Sequence, residues 1–302
     1  MYYNIYVYNN GVGIVTDAIL LKNLIKRYVH NDVQIIFLDN IKSDLNADVG
    51  IWIQNYDINL LHHHKKNIFF INEEWVGTWD LENLKLFDQV ICKSQYAKNL
   101  LRSYNNVTYI PFVSKDVYDS SIDRAKKFLH FMGRSIQKNT ELVLKQTIPI
   151  TIIDPYNRYK PSSNFTHINS YQTNESISNL LNSHNIHICC SLYESWGHYL
   201  FEALSTGNEI ICSDIPVFKE QLDPDLVHFI PSIKTTNSEY LFDTDNTNNT
   251  FTLRNSYYVD QSIFEYTLIN FKPKNKNKER RLLYQHIIND SETKLINFFK
   301  NI

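Results

Sequence analysis

Short apolar runs alternate with amphipathic stretches along the chain. Residues 5–8, 33–38, 49–53, 67–71 and 89–92 are apolar, short and bounded by polar turns, the pattern of strands buried on both faces. Between them, residues 15–28 carry Ile19, Leu20, Leu24 and Ile25 at helical spacing. Residues 94–103 open on a serine N-cap and continue with Ala97, Leu100 and Leu101. The same alternation restarts after residues 111–124, which are polar, aperiodic and read as a linker. Beyond it, residues 128–132, 149–153, 187–190, 209–212 and 226–230 predict strands. Residues 139–145, 175–183, 199–205 and 217–222 predict helices. The Asn/Thr/Asp-rich stretch 237–252 reads as a surface loop, 272–281 as a solvated basic helix start, and 282–299 as a closing helix. Strand–helix alternation of this kind predicts parallel sheets flanked by helices, here two doubly wound halves facing a cleft. Ligands of such sheets sit outside the carboxyl ends of the strands, so the loops after the strands are where chemistry is expected.

Composition sharpens this picture. The 302-residue chain is 43% hydrophobic and 21% charged, with a formal net charge of -2. Near-neutral charge excludes the basic face of a general nucleic-acid binder. No apolar run reaches the roughly 18 residues of a membrane span. The first residues lack the basic and apolar regions of a signal peptide. Cys92, Cys189, Cys190 and Cys212 all sit in strand-like runs, which predicts free buried thiols and a reducing, cytoplasmic setting, with the membrane periphery as an alternative address. Only 7 glycines accompany 20 tyrosines and 17 phenylalanines. With average glycine usage about 7%, those that remain are expected where a side chain does not fit.

The stretch from Ser191 to Glu220 concentrates the chemistry. An expected strand ends in a polar loop with Glu194 and Gly197, and a helix follows that carries Glu202. Glu194 thus falls at a helix mouth, where unpaired backbone N–H groups attract anions. Gly207 closes the helix, and a second strand ends in Ser213-Asp214. After the linker, an apolar run ending Phe131-Met132 is followed by Gly133-Arg134 and then Lys138, a fork and a point charge suited to a diphosphate. Near the N-terminus, Tyr8-Asn9-Asn10-Gly11-Val12-Gly13 joins the first strand to the first helix.

These elements resemble the retaining glycosyltransferases of the GT-B fold, family 4 (group 1). The match rests on Glu194 and Glu202 at E-x7-E spacing, on Ser191, Gly197, Ala203, Gly207, Ser213, Asp214 and Glu220, and on the Gly-Arg-x3-Lys element. It covers residues 125–230 well and the N-terminal half in outline. The resemblance implies a GT-B architecture of two Rossmann-like domains. Residues 1–112 would form an acceptor-side domain, onto which a terminal helix of about 284–302 packs back. Residues 113–283 would bind the nucleotide sugar. It implies transfer of a sugar from a nucleotide diphosphate sugar, UDP- or GDP-linked, to a hydroxyl of a glycan, protein or lipid-linked acceptor. No cofactor or metal is implied, cationic side chains taking the metal's place. Glu202 would hold the ribose and Glu194 the transferred sugar. Arg134 and Lys138 would clamp the diphosphate, and amides around Trp196, Gly197, His198 and Tyr199 would meet diphosphate and sugar. The loop at Ser170-Tyr171-Gln172 would face the base, and Gly11 and Gly13 would let backbone approach the donor. A hydrolase or epimerase on the same fold, or a non-catalytic binding protein, are the alternative readings.

The departures from the family pattern are local. Where relatives carry a histidine after an N-terminal strand, this chain has Asn72, Glu73 and Glu74, which the resemblance assigns to donor sugar or acceptor. Asp154-Pro155-Tyr156 replaces a glycine-rich loop, and Val113-Ser114 replaces Asn-Gly. Asp243-Thr244-Asp245 spells a metal motif of another transferase fold but lacks the apolar strand that motif needs ahead of it. His62-His63-His64 lacks i, i+4 partners and reads as a polar loop. Trp75 and Trp79 are equally suited to stacking on sugar or to packing.

Overall fold

A computed structural model describes residues 1–9, 13–41, 44–133, 136–160, 162–235 and 255–302. The chain divides into two compact units. Among the described residues, one comprises 1–113 and 288–302, and the other 114–235 and 255–287.

The first unit is built on β1 (Tyr3–Val7), α1 (Gly13–Tyr28), β2 (Val33–Phe37), β3 (Ala47–Ile53), β4 (His64–Ile71), α2 (Thr78–Asn83), β5 (Gln89–Cys92), α3 (Gln95–Leu100) and β6 (Val107–Tyr109). Six strands pair in parallel in the order β2-β1-β3-β4-β5-β6. The apolar runs are strands because both sheet faces are covered: β1 is buried along its whole length. Tyr6 stacks on Trp52 with ring centroids 4.1 Å apart, and His64 lies edge-on to both. His64 therefore belongs to the core, its Nε2 2.8 Å from the Tyr6 hydroxyl, rather than to a polar loop.

The second unit contains β7 (Ala125–Phe131), α4 (Thr140–Leu144), β8 (Ile150–Ile153), β9 (Thr166–Ile168), α5 (Asn174–Ser183), β10 (His184–Cys189), α6 (His198–Ser205), β11 (Glu209–Ser213), α7 (Pro216–Lys219) and β12 (His228–Ile230). Its sheet is also parallel, in the order β12-β11-β10-β7-β8-β9. A short antiparallel pair, β13 (Ser232–Lys234) and β14 (Tyr257–Val259), and helix α8 (Gln261–Ile269) follow. The closing helix α9 (Asn277–Lys300) contributes residues to both units. In the first unit its Phe299 packs edge-on to Tyr3 and stacks with Phe70.

The basic run 272–281, which leads into the first turn of α9, is not solvated throughout. Arg280 is fully buried in the second unit, donating to both Glu209 carboxylate oxygens and to the carbonyls of Gly207 and Leu226. All four cysteines are free and buried. No described helix is long and apolar enough to cross a membrane.

Candidate functional site

In the second unit the strand order reverses direction between β7 and β10, which are neighbours in the sheet although the chain runs β7-β8-β9 outward on one side and β10-β11-β12 on the other. Loops leave in opposite directions there, and the carboxyl ends of two such strands are where open sheets of this kind bind their ligands. The two motifs singled out in the sequence follow those strands: Gly133 and Lys138 come after β7, Ser191 to Gly197 after β10.

The loops are knit to each other. The Leu192 amide donates to the Gln137 carbonyl at 2.8 Å, and the Ser213 hydroxyl donates to the Ser191 carbonyl at 2.5 Å. Glu194 is buried at their meeting point. Lys138 Nζ forms an ion pair with its Oε1, the Ser191 hydroxyl donates to the same oxygen at 2.7 Å, and Gln137 Nε2 donates to Oε2 at 3.1 Å. Both oxygens are thus held by donors of the chain itself, and charge is balanced across a partly buried pair.

Gly197 follows as the N-cap of α6, with φ at 94°. A Cβ there would lie 2.8 Å from the Phe218 ring, so the residue has to be glycine both for its backbone and for its neighbour. Gly13 is different: a Cβ at that position meets nothing within 4 Å, so no close approach explains this glycine. Gly11 and Arg134 lie outside the described residues, as do Asp243 and Asp245.

Trp196 and Tyr199 turn their side chains inward. The Trp196 ring stacks on Phe201 at 4.2 Å and its Nε1 donates to Ser114 Oγ, while the Tyr199 hydroxyl donates to the Leu129 carbonyl. What these residues can offer a ligand is main chain. His198 opens α6 with its Nδ1 2.9 Å from Ser114 Oγ. Ser114 thereby anchors two residues of the helix mouth, and the Tyr284 hydroxyl donates to its carbonyl. Neither Ser114 nor Gln137 was expected at the site. Gln137 directly precedes the expected Lys138, but nothing in the sequence points from Ser114 to a helix 84 residues later.

Glu202 stands one turn beyond His198, on the same face of α6. Its carboxylate makes no hydrogen bond or ion pair among the described residues. Burial raises its pKa, and the fields of His198, Lys115 and Lys138 oppose that rise. A carboxylate in such a place has acceptor capacity to spare. The loop before α5 leaves Tyr171 82% exposed. Asp154 is buried, accepting from the amides of Tyr156 and Tyr159 and lying 3.3 Å from His167 Nε2, so it shapes its turn.

In the first unit, Asn72, Glu73 and Glu74 are buried just past the carboxyl end of β4. Asn72 Nδ2 donates to Gln54 Oε1 at 2.8 Å, and the Ser94 hydroxyl donates to Glu73 at 3.4 Å. Trp79 is half exposed and stacks on Tyr56 at 5.0 Å; Trp75 is 41% exposed.

No known protein family matches the sequence, and no curated protein matches it. Solved structures do match the fold. A glycosyltransferase from Rickettsia africae superposes with a TM-score of 0.64 at 11% identity, covering 99% of this chain and 98% of that one. Anabaena HepE in complex with UDP and glucose gives 0.60 at 9% identity, covering 100% and 97%. The GtfA/B complex gives 0.56 at 13% identity over 88% of this chain, which spans 63% of the length of that one. The chain has the GT-B glycosyltransferase fold, with two six-stranded parallel sheets in Rossmann-like units.

Proposed function

We propose that the chain is a glycosyltransferase that takes a sugar from a nucleotide diphosphate sugar and hands it to an acceptor hydroxyl. The observation that carries this reading is Glu202. A half-buried carboxylate, without a partner among the described residues, stands one turn inside the helix that opens at the β7/β10 switch point. Such a group suits a diol, and the ribose of a nucleotide presents one. The diphosphate then falls to Lys138, to Arg134 as the sequence motif suggests, and to the main-chain amides at Gly197, His198 and Tyr199. Glu194 and Trp196 line the same loop, with Glu194 serving the transferred sugar and Tyr171 the base. Asn72, Glu73 and Glu74 of the first unit are assigned to acceptor or donor sugar. UDP bound to HepE of the same fold supports the choice of donor.

The chemistry asks mainly for charge control. As the glycosidic bond breaks, the departing diphosphate gathers negative charge, which Lys138, Arg134 and the mouth of α6 stabilise. In this reading the cationic side chains serve where a metal otherwise would, and the acceptor attacks from the face the leaving group vacates, with retention. The test is a donor panel of UDP- and GDP-sugars incubated with and without candidate glycan acceptors. Transfer predicts nucleoside diphosphate release that accelerates with acceptor, survives chelation, and yields a product of retained anomeric configuration. Acceptor-independent release of free sugar would point to a hydrolase instead, and an inverted product or strict metal dependence would overturn the corresponding part.

A further inference from the structure

Ser114 is buried and holds three groups at once. Its carbonyl accepts from the Tyr284 hydroxyl at 2.9 Å, and its Oγ lies 2.9 Å from Trp196 Nε1 and 2.9 Å from His198 Nδ1. The chain just beyond it is fastened as well. The Val117 amide donates to Ser205 Oγ at 3.1 Å, and the Val117 carbonyl accepts from Ser178 and Asn182 of α5. The hydroxyl thus stands on a pinned backbone. A serine hydroxyl has one proton to give and two lone pairs with which to receive, whereas an indole Nε1–H only donates. Ser114 Oγ therefore accepts from Trp196. Its own proton then has one acceptor within hydrogen-bond distance among the described residues, His198 Nδ1. Were Nδ1 protonated, two donors would point at Oγ and the hydroxyl proton would be buried without an acceptor, at a cost. Nδ1 is therefore the acceptor, and in the neutral imidazole the proton sits on Nε2.

We propose that Ser114 is a positioning residue that fixes His198 as the Nε2–H tautomer, making the first side chain of α6 a neutral hydrogen-bond donor to the diphosphate; this role rests on the nucleotide reading given above. His198 directly follows Gly197, the N-cap of α6, and is half-buried, so its imidazole adds a side-chain donor where the helix amides already favour anions. An imidazole held in this way donates without having to be charged. Its one ring lone pair, on Nδ1, is engaged by Ser114, so His198 serves the departing anion and not as a base towards the acceptor hydroxyl.

The experiment is NMR of the full chain carrying isotope-labelled histidine at about pH 8, where an ordinary imidazole is neutral. Long-range proton–nitrogen correlations read each ring's tautomer, and His198→Phe identifies the His198 signals. The parent should show a protonated Nε2 and an unprotonated Nδ1. Ser114→Ala should leave a mixture of tautomers, and Ser114→Thr, which keeps the hydroxyl, should restore the Nε2–H form. Trp196→Phe removes the hydroxyl's other partner and should leave the tautomer unchanged, which separates the Ser114–His198 bond from the packing around it. Calorimetry with uridine, guanosine and their diphosphates is the second arm. His198→Phe should weaken the diphosphates about tenfold or more and the nucleosides less than about twofold, and Ser114→Ala should weaken the diphosphates about two- to fivefold. A parent His198 protonated on Nδ1, or a tautomer that Ser114→Ala leaves unmoved or that Trp196→Phe moves as far, would overturn the proposal. Equal losses for nucleoside and diphosphate in His198→Phe would overturn the assignment of His198 to the diphosphate. Failure of the parent to bind either diphosphate would overturn the nucleotide reading itself, and this role of His198 with it.

Discussion

Gly197→Ala tests whether the mouth of α6 is built as described. At φ 94° an L-residue is strained, at a cost of about 1–2 kcal/mol. The new Cβ would also lie 2.8 Å from Phe218 Cε1 and 3.3 Å from Cζ. Phe218 is 1% exposed, so its ring has to displace packed neighbours, adding about 1–3 kcal/mol. The sum is about 2–5 kcal/mol, which raises the local opening equilibrium at least about 30-fold. Gly133→Ala is the internal comparison. Its φ of 64° lies in the left-handed well, and its nearest atoms are Cγ and Cε of Lys138 at 3.4 and 3.5 Å, parts of a flexible side chain. Its expected cost is about 1 kcal/mol. Hydrogen exchange read by mass spectrometry on peptides spanning β10 and α6 measures both, since it reports the second unit directly. Equal protection in the two variants, or a Gly197→Ala cost under about 1 kcal/mol, would refute the packing described around Gly197.

Two further predictions concern stability. Arg280→Met leaves Glu209 buried with the Asn275 amide at 2.9 Å and His228 at 3.4 Å, and should destabilise the second unit by about 3–5 kcal/mol in urea titrations; a loss under about 1 kcal/mol would contradict its anchoring role. Burial pushes the Glu209 carboxyl up, but the contact with His228 and the charge of Arg280 prevail and hold its pKa at about 2. Its contribution is therefore full above its ordinary value near 4.5 and is lost as pH falls from there towards 2. Burial also lowers His64 and His130 to about 4 and His187 to about 3. Because the unfolded chain takes up these protons first, stability should fall as pH drops below about 6.5 and go on falling through the folded values. Urea midpoints measured from pH 7 to pH 5 should decline, with a shallower slope in His130→Gln; a flat profile would contradict the neutral buried imidazoles.

Strands buried on both faces announce themselves, which is why the runs at 49–53 and 89–92 could be read from hydropathy alone. β13 and β14 could not, being three residues each with half of those positions exposed. Helix α8 buries only Phe264 and Leu268 while Ile263, Tyr266 and Ile269 face solvent, so its apolar period is blurred. Arg280 was masked by its lysine-rich surroundings: sequence shows charge but not the carboxylate 71 residues away that makes burial tolerable. The site divides along the same line. The spacing of Glu194 and Glu202 is local and legible. The contacts that set their different states are not, since Gln137 and Lys138 reach Glu194 across 57 and 56 residues and Ser114 reaches α6 from the linker.

The central claim is that the β7/β10 switch point binds a nucleoside diphosphate with its ribose on Glu202. One calorimetric series tests it, titrating nucleoside, nucleoside diphosphate and nucleotide sugar into the parent chain and into Glu202→Ala, Arg134→Ala and Glu194→Ala. Glu202→Ala should weaken nucleoside and diphosphate alike, because the ribose is common to both. Arg134→Ala should spare the nucleoside and weaken the diphosphate about ten- to hundredfold, the loss of one charge-assisted contact. Glu194→Ala should lower affinity for the nucleotide sugar beyond any change it makes to the diphosphate. Indistinguishable profiles for Glu202→Ala and Arg134→Ala, or binding that neither changes, would contradict the account.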